Sequence, residues 1–161
     1  MIKTIRVFSI LMLYLNSGCG EKEGPNCHRT IIFNNVSNKE LVINPGLNYP
    51  DTIDFANSGG YALNEGYWVQ PNEINKRALR LRYCWESYFE HGTIPSDTLM
   101  IFVFDAEVVK NIPWIEVYKN YHVLKRYDLS LSDLHLLNWR ISYPPTELMQ
   151  TIKQYPPYES E

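Results

Sequence analysis

The chain has 161 residues, of which 45% are hydrophobic and 14% aromatic, and its formal net charge is −3. This length suits one ordinary domain with an apolar core. The slightly negative charge excludes the basic surface that binding to a nucleic-acid backbone requires. We therefore expect one globular domain with no nucleic-acid partner.

The first 18 residues have the layout of an export signal. Two basic residues precede an apolar run over residues 7–15, and the small residues Ser17 and Gly18 then lead into Cys19. A basic end, a short apolar region and a small-residue cleavage site are typical of a secretory signal peptide. The run is far shorter than the ~20 residues of a membrane-spanning helix. We predict a signal peptide over residues 1–18.

The end of this segment resembles the lipobox of bacterial lipoproteins, although Leu15 lies one position early. The resemblance implies cleavage before Cys19 and acylation of that cysteine, which would anchor the protein to a membrane. The absence of Asp at position 20 favours the outer membrane, and Glu21 and Glu23 resemble the acidic signal that exports Bacteroidetes-type lipoproteins to the cell surface. An ordinary secretory peptide with an incidental Cys19, followed by a solvated linker, is the alternative.

Cleavage there would also remove two basic residues. Without Lys3 and Arg6, 13 basic and 18 acidic side chains remain, for a formal charge of −5. This charge disfavours a polybasic grip on the membrane, so the acyl chains would provide the anchoring.

Acylation of Cys19 would leave two thiols, Cys27 and Cys84. In an oxidising compartment an even number of thiols predicts a disulfide. The bond would close a loop of about 58 residues and contribute ~4 kcal/mol on the chain-entropy model. Two buried free thiols are the alternative.

The chain divides by composition into four parts. Residues 1–18 are the signal peptide, and the polar residues 19–26, with two glycines and a proline, predict a lipidated tether. Residues 27–154 predict a single β-rich globular domain. The Pro- and Glu-rich residues 155–161 predict a loose tail.

The first half of the domain is typical of β structure. Short β-branched runs at residues 30–33 and 40–43 flank an Asn- and Ser-rich turn, which predicts a hairpin. Residues 44–60 predict a long surface loop. Residues 79–83 alternate between apolar and arginine side chains, as in a half-buried strand. We interpret these arginines as its exposed face rather than as an anion site.

The second half contains the strongest strand signal. Residues 99–104 are apolar at every position, which predicts a central strand that is covered on both faces. The pattern then predicts strands over residues 123–129 and 139–143, and short helices that begin near Pro113, Ser132 and Thr146. The expected fold is mainly β, a sandwich-like single domain with two or three short helices. An α+β sheet with helices on one face is the alternative.

Three segments of the second half resemble a group of small Bacteroidetes-type lipoproteins with no assigned function. They are DTLMIFVFD at residues 97–105, LKRYDLS at 124–130 and LLNW at 136–139. The resemblance extends over about a third of the chain and includes no catalytic motif. It implies a one-domain, β-rich protein of the cell envelope.

Motifs for chemistry are absent from the sequence. We find no nucleophile elbow, zinc motif, phosphate-binding loop or dinucleotide glycine pattern, and no two histidines have the spacing of a helical metal pair. We interpret Glu86, Glu90 and His91 as a solvated turn. We predict no catalytic residues, no metal and no cofactor.

Aromatic residues near the Gly- and Asn-rich loop are the remaining candidates for ligand binding. Tyr61, Tyr67 and Trp68 could stack on sugar rings, and core packing is the alternative interpretation. Thr52 lies in an Asp-Thr-Ile sequence that resembles the Bacteroidetes-type O-glycosylation signal.

From these observations we expect a non-catalytic accessory or interaction module of the envelope, whose partners are the membrane and an envelope protein or a glycan. A glycan-binding surface lipoprotein is the first alternative and a small hydrolase the second. An aromatic cleft would favour a glycan, and a pocket with a close His–acid pair would favour an enzyme. A flat apolar patch would favour a protein partner.

Overall fold

The computed structural model describes residues 23–50 and 64–159. Its strands are β1 (Ile32–Asn35), β2 (Leu41–Gly46), β3 (Trp68–Val69), β4 (Ile74–Asn75), β5 (Leu99–Asp105), β6 (Lys125–Leu129), β7 (Arg140–Tyr143) and β8 (Lys153–Tyr155). Its helices are α1 (Trp85–Glu90), α2 (Ala106–Asn111), α3 (Trp114–Lys119) and α4 (Leu131–Leu136), with 3-10 turns at Glu65–Tyr67 and Glu147–Met149. The sites predicted at Cys19, Thr52 and Tyr61 lie outside the described residues.

The strands form two sheets. The larger has the order β3-β2-β5-β6-β8 with antiparallel pairing throughout, and the smaller has the order β4-β1-β7. In the smaller sheet β1 is antiparallel to β4 and parallel to β7. Apolar side chains from both sheets form one core cluster, including Phe33 of β1, Ile141 of β7 and Ile101 of β5. The mainly β, sandwich-like prediction is confirmed, although the described residues contain four α-helices rather than two or three.

The central strand β5 is buried on both faces, as its sequence predicted. Leu99, Ile101 and Val103 belong to the core between the sheets. Met100, Phe102 and Phe104 belong to a second cluster with side chains of α2 and α3. These two helices therefore form a third layer, which resembles the alternative of helices on one face of a sheet. The helix α2 was not predicted; it begins where Asp105 accepts a hydrogen bond from the Glu107 amide.

The predicted hairpin between residues 30–33 and 40–43 is wrong, because β1 and β2 lie in different sheets. The buried Asn35 explains the change of sheet. Its amide donates to the carbonyls of Lys39, Val69 and Gln70, and its oxygen accepts from the backbone and hydroxyl of Ser37. The side chain therefore satisfies backbone groups that a hairpin ladder would otherwise have paired.

Three further local predictions are wrong. Residues 79–83 form only an isolated bridge, between Thr30 and Arg80, because its two hydrogen bonds to the chain around Arg29 are not continued into a regular ladder. The cap of α4 is Ser130 rather than Ser132, because Ser130 and Asp133 form a capping box. The segment after Thr146 is a 3-10 turn followed by β8, which pairs with β6.

Both ends of the domain extend beyond the predicted boundaries. Tyr155, placed in the predicted tail, pairs with Arg126, and the carbonyls of Pro156 and Pro157 accept from Lys125. Within the predicted tether, residues 24–27 form a turn closed by two backbone hydrogen bonds. The compact part of the chain thus includes more of both termini than composition indicated.

The predicted disulfide between Cys27 and Cys84 is present, with its Cα atoms 4.9 Å apart. It joins the turn before β1 to the start of α1. Among the described residues, no helix combines the length and the apolar character needed to cross a bilayer.

Candidate functional site

The structure places Tyr67 and Trp68 on different sides of the larger sheet. Tyr67 is half-buried and packs against the core between the sheets. Trp68, the first residue of β3, packs against the cluster beneath α2 and α3. Because the two rings pack against different clusters, they do not form one aromatic surface.

Trp68 nevertheless lines a cleft of about 850 Å³ at the edge strand of the larger sheet. The other lining residues are mostly carboxylates and amides: Glu40, Asn64, Glu65, Gly66, Gln70, Glu73 and Arg77. Carboxylates accept hydrogen bonds, amides both accept and donate them, and guanidinium groups only donate them. The cleft therefore combines an indole wall with groups that pair with hydroxyl-rich ligands.

Hydrogen bonds hold this polar lining in place. Lys110 of α2 forms an ion pair with Glu40, and its ammonium lies 5.2 Å from the centroid of the Trp68 ring. The side chain of Gln70 donates to Glu40, while its backbone amide donates to Glu73 at 2.7 Å. The hydrogen bond from Lys110 lowers the pKa of Glu40 against the opposing effect of burial. Glu40 is thus held as a carboxylate at neutral pH.

A second cluster, which the sequence did not predict, surrounds His28. The Nδ1 atom of His28 lies 2.6 Å from Oε1 of Glu86, and its backbone amide donates to the same carboxylate. Glu86 is buried, in contrast to the solvated turn predicted for it, because α1 packs its first turn against the segment before β1. Burial alone would raise the pKa of Glu86, but the hydrogen bonds from His28 outweigh it, and the pKa is lowered.

Two aromatic rings complete this cluster. The His28 ring stacks on Trp139, with centroids 4.3 Å apart and planes 13° apart, and the ring of His135 meets Trp139 edge-on. Trp139 has a φ of 59°, in the left-handed region that bulky residues rarely adopt. The amide of Trp139 donates a hydrogen bond to the carbonyl of Leu134, and this bond stabilises the turn between α4 and β7.

One sequence signal could have located the His28–Glu86 pair. His28 follows Cys27, and Glu86 lies two residues after Cys84. The predicted disulfide therefore already implied that these two side chains would be neighbours, although they are 58 positions apart. The three glutamates of the Trp68 cleft, by contrast, come from separate segments of the chain and share no sequence motif.

Within residues 23–50 and 64–159, no group of three or more His, Cys, Asp or Glu side chains could hold a metal ion. No protein-family model matches the chain, and neither a curated protein nor a solved structure is similar enough to be matched. The geometry of the two clusters is accordingly the basis for a functional proposal.

Proposed function

We propose that this chain is a non-catalytic binding module of the cell envelope, anchored through an acylated Cys19, and that its ligand is a glycan held in the Trp68 cleft. The observation that carries the proposal is the polar lining of that cleft. An apolar ligand would displace water from Glu65, Gln70 and Glu73 without replacing the hydrogen bonds that the water made. Sugar hydroxyls would replace those bonds, because they both donate and accept hydrogen bonds.

The shape and setting of the cleft also support a sugar ligand. Its volume of about 850 Å³ exceeds what a single small ion requires and suits a short oligosaccharide. Indole rings provide a rigid apolar face beside polar groups, which matches the mixed character of a pyranose ring. The hydrogen bonds among Glu40, Gln70 and Glu73 hold the acceptors in place before binding, which reduces the entropic cost of binding.

A glycan array probed with the exported protein tests this proposal, followed by titration calorimetry on the sugars that bind. Glu65, which is exposed and lines the cleft, is the informative position. We expect Glu65→Gln to weaken binding about tenfold, as loss of a charged acceptor does. The matched control is Glu147→Gln, which removes the same charge from an exposed position outside the cleft. Equal affinities for both variants and the parent would contradict the cleft assignment.

The anchor has its own test, because it depends on the sequence alone. Cys19→Ala should abolish labelling by a fatty-acid probe and leave the precursor uncleaved. Continued labelling of this variant, with partitioning into detergent, would refute the lipobox interpretation. Glycan binding is measured separately, so either half of the proposal can fail alone.

The His28–Glu86 pair favours a small hydrolase as a second candidate. A carboxylate that orients a histidine through Nδ1 is the arrangement of a general base. In the described part of the chain, however, the ring of His28 hydrogen-bonds only Glu86 and makes no hydrogen bond to a serine, threonine or cysteine side chain. A panel of ester, amide and glycoside substrates tests it: turnover that His28→Asn abolishes without loss of folding would replace the binding proposal with a catalytic one.

A further inference from the structure

A second cleft, of about 390 Å³, lies where the described chain begins. Its lining residues are Glu23, Arg29, Thr30, Ile32, Lys76 and Arg80. It therefore contains three cationic side chains and one carboxylate, in a chain whose net charge is negative.

The backbone brings these charges together from two distant segments. Residues 76–82 contain four basic and no acidic side chains. They run beside the chain that enters β1: Thr30 and Arg80 form a bridge, and the Leu81 amide donates to the carbonyl of Arg29 at 2.9 Å. The pattern of residues 79–83 by itself did not predict this cleft, because Arg29 comes from the other segment.

The charges of the cleft suit a phosphate group. Lys76 and Arg80 are exposed and form no ion pair within the described ranges. The carboxylate of Glu23 accepts a hydrogen bond from the Thr30 hydroxyl at 2.9 Å, which holds it at one side of the cleft. Arginine pairs with phosphate through two parallel hydrogen bonds, and lysine adds a compact charge.

The position of the cleft in the chain indicates the source of that phosphate. Glu23 lies four residues after Cys19, and four extended residues span at most about 14 Å. If Cys19 carries acyl chains, the cleft lies within that distance of the bilayer surface. Lipid headgroups are then the phosphates present at the highest local concentration.

We propose that this cleft, lined by Arg29, Lys76 and Arg80, docks the phosphate headgroup of an anionic lipid in the membrane that holds Cys19. The inference rests on the lipid-anchor half of the proposed function and is independent of the glycan half. Headgroup binding would give the anchored domain a fixed face toward the bilayer, since an acyl anchor by itself restricts distance but not orientation.

The test uses the acylated protein purified from membranes and reconstituted into two kinds of vesicle, phosphatidylcholine alone and phosphatidylcholine with phosphatidylglycerol. The rates at which an amine-reactive ester modifies Lys76 and Lys119 are measured by mass spectrometry. Lys119, exposed on α3 and outside the cleft, is the internal control. We expect modification of Lys76 to be at least about fivefold slower on the anionic vesicles, with no change at Lys119 and with loss of protection at high salt.

Two variants sharpen the result. Arg80→Gln should remove most of the protection of Lys76, whereas Arg82→Gln, a change of the same kind at an exposed position outside the cleft, should leave it intact. Equal rates for Lys76 on both vesicles would overturn the inference. Equal protection by inorganic phosphate on neutral vesicles would also overturn it in favour of a free-anion site. Protein that carries no acyl chain, recognised beforehand by its mass, would overturn the anchor and this inference together.

Discussion

The larger sheet is buried on both faces at its central strand, whereas the smaller sheet buries one face and exposes side chains such as Ile74 on the other. Apolar contacts on two sides are sufficient to hold β5. The smaller sheet has strands of two to four residues and depends on additional bonds, which come from Asn35, the disulfide and the His28–Glu86 pair. The larger sheet is thus stabilised by apolar contacts on two faces, and the smaller sheet by apolar contacts on one face together with single polar and covalent links.

A cross-layer hydrogen bond connects the two regions. The hydroxyl of Tyr127, in β6, donates to the carbonyl of Ser142, in β7, at 2.7 Å inside the core. Burial raises the pKa of Tyr127, so the hydroxyl remains a donor at any physiological pH.

The largest expected effect comes from truncations on the central strand. Ile101→Ala opens a cavity on the side of the smaller sheet and Phe102→Ala on the side of the helices. We expect losses of roughly 2–5 and 3–5 kcal/mol in the free energy of unfolding. Ile74→Ala, on the exposed face of β4, is the control and should change stability by under about 0.5 kcal/mol. Denaturant titrations measure all three; a small effect at either central position would mean that its face is exposed.

Removal of the disulfide should have the next largest effect. In the Cys27→Ala, Cys84→Ala double variant the unfolded chain regains the freedom of a loop whose ends are 57 positions apart. We expect a loss of about 2–4 kcal/mol. Mass spectrometry of the purified protein should first find the two cysteines joined. Both thiols alkylated without prior reduction would show that the bond does not form.

A smaller loss is expected at the corner between the sheets. Asn35→Ala leaves the carbonyls of Lys39, Val69 and Gln70 without their donor. Unpaired buried acceptors cost about 1–3 kcal/mol, although water can replace part of the bonding. Hydrogen exchange gives a localised readout: amides of β1 and β3 should lose protection while those of β5 retain it. Uniform loss across both sheets would contradict a local role for Asn35.

The smallest expected effect is a change in pH dependence at His28–Glu86. The pKa of Glu86 lies below its ordinary value of 4.5 in the folded chain. Its ionised form therefore stabilises the fold above that value, and the contribution is lost as the pH falls through the lowered folded pKa. Urea titrations from neutral pH into the acid range should show a shallower acid loss for Glu86→Gln than for the parent. Parallel curves would indicate that the pKa of Glu86 is the same in the folded and the unfolded chain.

The sequence by itself determined that the central strand β5 is buried on both faces. Residues 99–104 show this, because burial is a property of each side chain and its alternation, which a linear pattern records directly. Cysteine parity likewise predicted the Cys27–Cys84 pair, on the expectation that Cys19 is acylated, and that disulfide is present. The Trp68 side chain was recognised as a candidate, but its separation from Tyr67 required the sheet.

Only the tertiary structure decided which segments are partners. The parallel pairing of β1 with β7 joins residues more than 100 positions apart, and Asn35 redirects the chain away from the expected hairpin. The basic cleft combines Arg29 with Arg80 in the same way. Local propensity favours a nearby partner, whereas the choice among distant partners depends on the total burial and hydrogen bonding of the finished fold. For this reason the central strand was predictable from its own residues, and the clefts that carry the functional proposals were not.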